Sequence, residues 1–117
     1  MNWTVVGAAC GFLAVGCGAF GAHALKRVAT PEQLAWWATG AQYHLVHAVA
    51  IVLVGLLQRT GASTDSAGWA FLGGLVLFSG TLYGMGLGGP RWLGAITPLG
   101  GLALMLGWVL LVWAGRR

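Results

Sequence analysis

The stretch Gly40-Ala41-Gln42-Tyr43-His44-Leu45-Val46-His47-Ala48-Val49 places two histidines, a tyrosine and a glutamine inside a run without Lys, Arg, Asp or Glu from Gln33 to Gln58. In a soluble helix such side chains are ordinary, whereas in hydrocarbon they are costly. The surrounding chain decides which case applies.

The chain has 117 residues, 58% of them hydrophobic and 7% charged. Soluble domains carry about 25% charged residues, so six basic and two acidic side chains cannot make a water-facing surface. The charges also divide the chain evenly. Uncharged runs extend from Met1 to Leu25, Gln33 to Gln58, Ser66 to Pro90 and Trp92 to Gly115. Each exceeds the ~20 apolar residues a helix needs to cross hydrocarbon. In lipid the backbone must satisfy its own hydrogen bonds, which selects helices over strands of about ten residues. The expected fold is all-α, a membrane-embedded four-helix bundle forming a single domain over residues 1–117, with helices near 3–25, 31–58, 66–88 and 98–115.

Local signals refine these bounds. The first run carries Ala22-His23-Ala24 near its end, which looks like a signal-peptide cleavage site, but no Lys or Arg precedes the run, so it is predicted to be a membrane helix. Thr30-Pro31-Glu32-Gln33 reads as a helix start, with Thr30 as the cap, Pro31 first and Gln33 three residues after the cap. Trp36 and Trp37 belong at headgroup level, so a short interfacial helix is expected from Pro31, bending near Gly40 into the second span. Asp65 or Ser66 should cap the third helix. Gly80, Gly84 and Gly88 offer a flat strip for helix packing and self-association. Thr97-Pro98 marks the start of the fourth helix, with Leu93 to Ile96 as an interfacial lead-in; a kinked helix from Trp92 is the alternative.

The net charge of +4 does not indicate nucleic-acid binding. Lys26, Arg27, Arg59, Arg91, Arg116 and Arg117 all lie at ends of apolar runs, where they meet lipid headgroups. Lys26, Arg27 and Arg91, with Trp36 and Trp37, are the expected interface anchors. Basic residues divide almost equally between the two sides. The positive-inside rule places both termini in the cytoplasm. Cys10 and Cys17 are about 10 Å apart along one helix, too far for a disulfide.

Depth supplies the functional clue. At 1.5 Å per residue, His44 lies about 10 Å and His47 about 15 Å below Trp37, while Tyr83 and Ser79 lie about 10 and 16 Å from Pro90. His23 and Thr97 sit toward the same side. His23, Tyr43, His44, His47, Ser79, Tyr83 and Thr97 are therefore expected to share one leaflet. Gly40, His44, His47, Ile51 and Gly55 fall on one helical stripe, with Tyr43 at its margin, which turns the imidazoles inward.

Three readings of this polar cluster stand. Interhelical hydrogen bonding that fixes the packing is favoured, because such pairs are common in bundles. A pathway or pocket for protons, ions or a small solute is the second, since intramembrane ionisable groups are functional by default. Metal or haem ligation by His23, His44 and His47 is the third and weakest, as a lone His-x-x-His lacks further ligands at family spacing. No cofactor is expected. Ser-His-Asp sets, acidic dyads, phosphate-binding loops and His-Glu-x-x-His are all missing. Glu32 and Asp65, the two acids, read as helix-start residues on opposite sides. The chain is therefore predicted not to be an enzyme. Its expected partners are the bilayer and further copies or other membrane proteins.

Five ordered motifs span nearly the whole chain: Gly18-Ala19-Phe20-Gly21-Ala22-His23-Ala24-Leu25, Tyr43-His44-Leu45-Val46-His47-Ala48, Leu77-Phe78-Ser79-Gly80-Thr81-Leu82-Tyr83, Ile96-Thr97-Pro98-Leu99-Gly100-Gly101 and Gly107-Trp108. Together they resemble the YgdD/YwdK-type small membrane proteins, a domain-of-unknown-function family with eukaryotic relatives. The resemblance implies a four-helix protein of a bacterial inner membrane. It implies no activity and identifies no ligand.

Overall fold

The computed structural model describes residues 1–116 and contains four long helices: α1 (Trp3–His23), α2 (Pro31–Gln58), α3 (Asp65–Gly86) and α4 (Thr97–Gly115). Arg117, one of the basic residues assigned to a membrane edge, lies outside the described residues. All four helices are long and apolar enough to cross a membrane, and no strand occurs among the described residues.

The first two helices start with local side-chain caps. The Asn2 side chain accepts from the Val5 N–H at 3.2 Å and caps α1. At α2 the Thr30 hydroxyl accepts from the Gln33 N–H at 3.1 Å, and the Thr30 N–H donates to the Gln33 side chain at 2.9 Å. This reciprocal box satisfies two backbone groups at once, and Pro31 fits the first turn because no N–H is needed there.

Two starts differ from expectation. Thr64, not Asp65 or Ser66, precedes α3, and its buried hydroxyl donates to the Val54 carbonyl at 3.1 Å, tying the second loop to α2. Ile96 precedes α4, so Thr97 is its first residue. The lead-in is a 3₁₀ segment, Arg91–Ala95.

The second helix has 28 residues, about 42 Å of rise against ~30 Å of hydrocarbon. The separate short interfacial helix expected from Pro31 is not a distinct element: Pro31 begins the long helix itself. Its first turns are continuous with the rest of α2, and helical structure passes through Gly40 without interruption. Gly40 serves close packing there: a Cβ would stand 3.1 Å from the Tyr83 ring and 3.2 Å from Leu82.

Consecutive helices pack antiparallel, α1 on α2, α2 on α3 and α3 on α4, while α2 and α4 barely touch. The molecule measures 48 × 26 × 19 Å. Trp3, Ile51, Val54 and Phe71 are fully buried in the core, with Leu75 and Leu104 against them. Glycine brings the backbones together. A Cβ on Gly7 would stand 2.6 Å from the Val52 nitrogen, and one on Gly74 would stand 2.8 Å from the Leu104 nitrogen.

Of the three glycines expected to form a strip on the third helix, Gly88 lies beyond its end. Gly88 has φ +94°. Its N–H donates to Met85 O at 3.0 Å, and the Gly89 N–H donates to Gly84 O at 2.8 Å. This is a Schellman stop, which requires the left-handed residue that glycine supplies most cheaply. Gly84 stays on the helix with Leu93 3.0 Å from a Cβ built there, and Gly80 faces open space.

Candidate functional site

Helix α2 turns Gly40, His44, His47, Ile51 and Gly55 inward, and all five are buried. The side chains on this stripe reach different neighbours. His44, 9% exposed, has Nδ1 2.8 Å from the Tyr83 hydroxyl on α3. Its second polar neighbour is the Cys10 backbone carbonyl on α1. A carbonyl only accepts, so an imidazole that donates to it takes the Tyr83 proton at Nδ1 as acceptor.

His47, 5% exposed, faces the opposite flank. Trp108 on α4 donates from Nε1 to His47 Nε2 at 3.0 Å. Since Nε2 accepts, Nδ1 carries the proton and donates to the Tyr43 carbonyl one turn earlier, at 2.8 Å. The imidazole is neutral and both nitrogens are engaged. Aromatic rings enclose it: Tyr43 lies nearly parallel at 6.0 Å between centroids, and Phe71 and Trp108 each stand at 5.8 Å.

The two histidines thus share no side-chain partner. Nearby, Ser79 donates to the Gly40 carbonyl at 2.8 Å and joins α3 to α2. The Thr81 and Thr97 hydroxyls meet at 2.6 Å between α3 and α4. Thr81 also approaches Leu77 O at 2.7 Å, and Thr97 approaches Leu93 O at 3.2 Å. Tyr43 is partly exposed, at 42%, and packs on Phe78. His23 is exposed in the last turn of α1 and takes no part in these bonds. Among the described residues no three His, Cys, Asp or Glu side chains are placed to hold a metal.

The anchors divide as well. Arg91 lies exposed over the Trp36 ring, 5.6 Å from its centroid, and pairs with Glu32 at 2.6 Å. Lys26 and Arg27 are exposed in a 3₁₀ turn, Leu25–Arg27. Trp37, expected beside Trp36 at the headgroups, is 7% exposed and faces the bundle interior. Its Nε1 donates to the Cys17 carbonyl at 2.7 Å, its ring covers Gly21, and the Tyr83 ring packs on it at a tilt of 39°, 4.4 Å between centroids. Adjacent helix positions differ by about 100°, which lets Trp36 turn outward toward Arg91 while Trp37 turns into the bundle.

Residues not anticipated as site members carry much of this network. Trp108 and Thr81 stood out only as parts of the quoted motifs. At the far end the fully buried Trp3 donates to Asp65 Oδ1 at 2.7 Å, and Gln58 reaches the same oxygen at 3.1 Å. Asp65 is therefore a clamp between α1 and α3 as well as a helix-start acid. Beside His44 a cleft of about 380 Å³ opens sideways between α1 and α3, lined by Cys10, Leu13, Leu75, Ser79, Gly80 and Tyr83.

Four apolar helices joined by buried side-chain hydrogen bonds define a membrane protein. The chain belongs to the family described as "Protein of unknown function (DUF423)", whose family model matches residues 17–101. The UPF0382 membrane protein YwdK of Bacillus subtilis is 44% identical over 116 residues, covering 97% of this chain and 94% of the relative. A UPF0382 membrane protein of Staphylococcus haemolyticus is 38% identical over 109 residues, 92% of this chain and 89% of its own. One from Staphylococcus epidermidis is 39% identical over 111 residues, 94% and 91% of the two chains. No solved structure matches the chain.

Proposed function

We propose that this protein is a structural or accessory module of the bacterial inner membrane, without enzymatic activity, in which the buried polar side chains fasten helices to one another. The observation that supports this reading is His47. Both ring nitrogens are committed, one to the Tyr43 carbonyl and one to the Trp108 indole, in a single neutral tautomer. A proton relay or a metal ligand needs a nitrogen free to exchange. Interhelical bonds of this kind contribute about 0.6 kcal/mol each, and here they link every helix to at least one other. Both termini belong in the cytoplasm by the positive-inside rule. Self-association through α3 fits the open space in front of Gly73 and Gly80.

A second reading rests on the cleft beside His44, large enough for a small solute. Proteoliposome flux separates the two. Equal proton and small-cation flux for wild type, His44→Phe and His47→Phe, with lower unfolding temperatures for the variants, supports fastening. Wild-type flux that either substitution abolishes overturns it. A single monomeric species in native mass spectrometry across several mild detergents would end the self-association proposal.

A further inference from the structure

The α1–α2 hairpin carries a groove that the fastening role does not use. It holds about 400 Å³ and runs between Gly18, Gly21 and Ala22 on α1 and Ala38 and Ala41 on α2, with Lys26 at its end. Its origin is visible in the packing. Trp37 turns inward to Gly21 and the Cys17 carbonyl, so the lining beside it consists mostly of glycine and alanine facing each other. A Cβ added at Gly18 would meet nothing within 4 Å. In hydrocarbon such a channel fills with whatever chain is available, because its walls otherwise lack dispersion partners.

Charge narrows the choice of occupant. Lys26 is exposed in the turn that joins α1 to α2 and is the charged residue lining the groove. The chain has two acids. Glu32 is held by Arg91 at 2.6 Å, and Asp65 is held by Trp3 and Gln58 at the other end of the molecule. Among the described residues no carboxylate is paired with the Lys26 ammonium. The cleft beside His44 has nearly the same volume and no cation in its lining.

We propose that the α1–α2 groove binds one anionic phospholipid, with the headgroup phosphate on Lys26 and an acyl chain laid along the glycine and alanine walls. The cation lies at the end of α1, where the chain leaves the span, and the apolar groove leads from it into the membrane. Leu34 to Ala41, both in the lining, cover about 10 Å of helix. Arg27, next in the same exposed turn, adds to the local positive potential.

Native mass spectrometry tests this with the full chain in mild detergent, given phosphatidylglycerol and phosphatidylethanolamine of identical acyl chains. Wild type should retain one phosphatidylglycerol per chain with about fivefold preference, the value of one interfacial cation. Lys26→Glu should remove the preference, and Ala38→Phe should reduce retention of both lipids. Arg59→Glu, at the opposite end, should change neither. Ala41→Leu replaces Ala38→Phe if that variant does not give a folded protein by circular dichroism. Equal retention of both lipids by wild type overturns the proposal. So does phosphatidylglycerol binding that survives groove filling, which would mark a headgroup contact alone. A dimer that groove filling dissociates would assign the groove to a second copy instead.

Discussion

The indole N–H of Trp108 on α4 donates to Nε2 of His47 on α2 at 3.0 Å, although these two helices make little other contact. The bond crosses 61 residues of sequence and places a donor where the imidazole has its only lone pair. The interaction therefore specifies how α4 sits on the α2–α3 pair.

Trp108→Phe keeps an aromatic ring, smaller than the indole, and removes the donor. Its expected cost is about 1 kcal/mol, toward the upper part of the range for interhelical bonds in membranes. His47→Phe should cost a similar amount. The double variant should be less destabilised than the sum of the two, since the partners are in contact. Denaturant unfolding in detergent micelles measures the cycle, and strict additivity would show that the bond contributes nothing.

Asp65 accepts from both Trp3 and Gln58 at the far end. Asp65→Ala leaves the indole N–H of a fully buried tryptophan without its acceptor, at an expected cost of about 1–3 kcal/mol. Asp65→Asn retains an acceptor oxygen and should lose less. Tryptophan fluorescence followed through unfolding reports both, and equal losses would refute the clamp.

Glycines of one helical chemistry should diverge by position. A Cβ at Gly100 would run into the Phe78 backbone, whereas one at Gly16 meets nothing within 4 Å. Gly100→Ala should force α3 and α4 apart and lower the unfolding temperature strongly. Gly16→Ala should be neutral or stabilising by up to about 1 kcal/mol, through helix propensity alone. Comparable effects at both sites would contradict the close approach.

At Gly88 the backbone itself is the constraint. With φ +94°, Gly88→Ala should cost about 1–2 kcal/mol. Gly89→Ala places its Cβ 2.7 Å from the Gly84 carbonyl and should fail through crowding, so the two substitutions differ in cause. Gly88→Asn should recover part of the loss, because asparagine tolerates the left-handed region. Thermal unfolding of the three variants gives the ranking, and Asn no better than Ala would count against this account.

Much of the architecture is written in charge spacing. Four uncharged runs separated by short polar turns leave one way to bury backbone groups in lipid, and the capping chemistry at Thr30 and Pro31 is local enough to locate the start of α2. Helical phase likewise indicates which side of α2 is buried, since that depends on 3.6 residues per turn and on little else. Phase does not tell which neighbour each residue meets. His44 and His47 occupy one buried stripe yet reach Tyr83 on α3 and Trp108 on α4. His23, placed by depth with the others, is exposed, because a residue's height in the membrane says nothing about its direction.

Span number, length and the inward set of α2 residues are one-dimensional properties, controlled by hydrocarbon thickness and helix pitch. Partner identity is three-dimensional. Trp37 facing Cys17 and Gly21, Trp3 reaching Asp65, and the groove ending at Lys26 all depend on how closely glycine lets particular helices approach. Those distances arise only when the whole bundle packs, because each contact joins residues that neither local propensity nor periodicity connects.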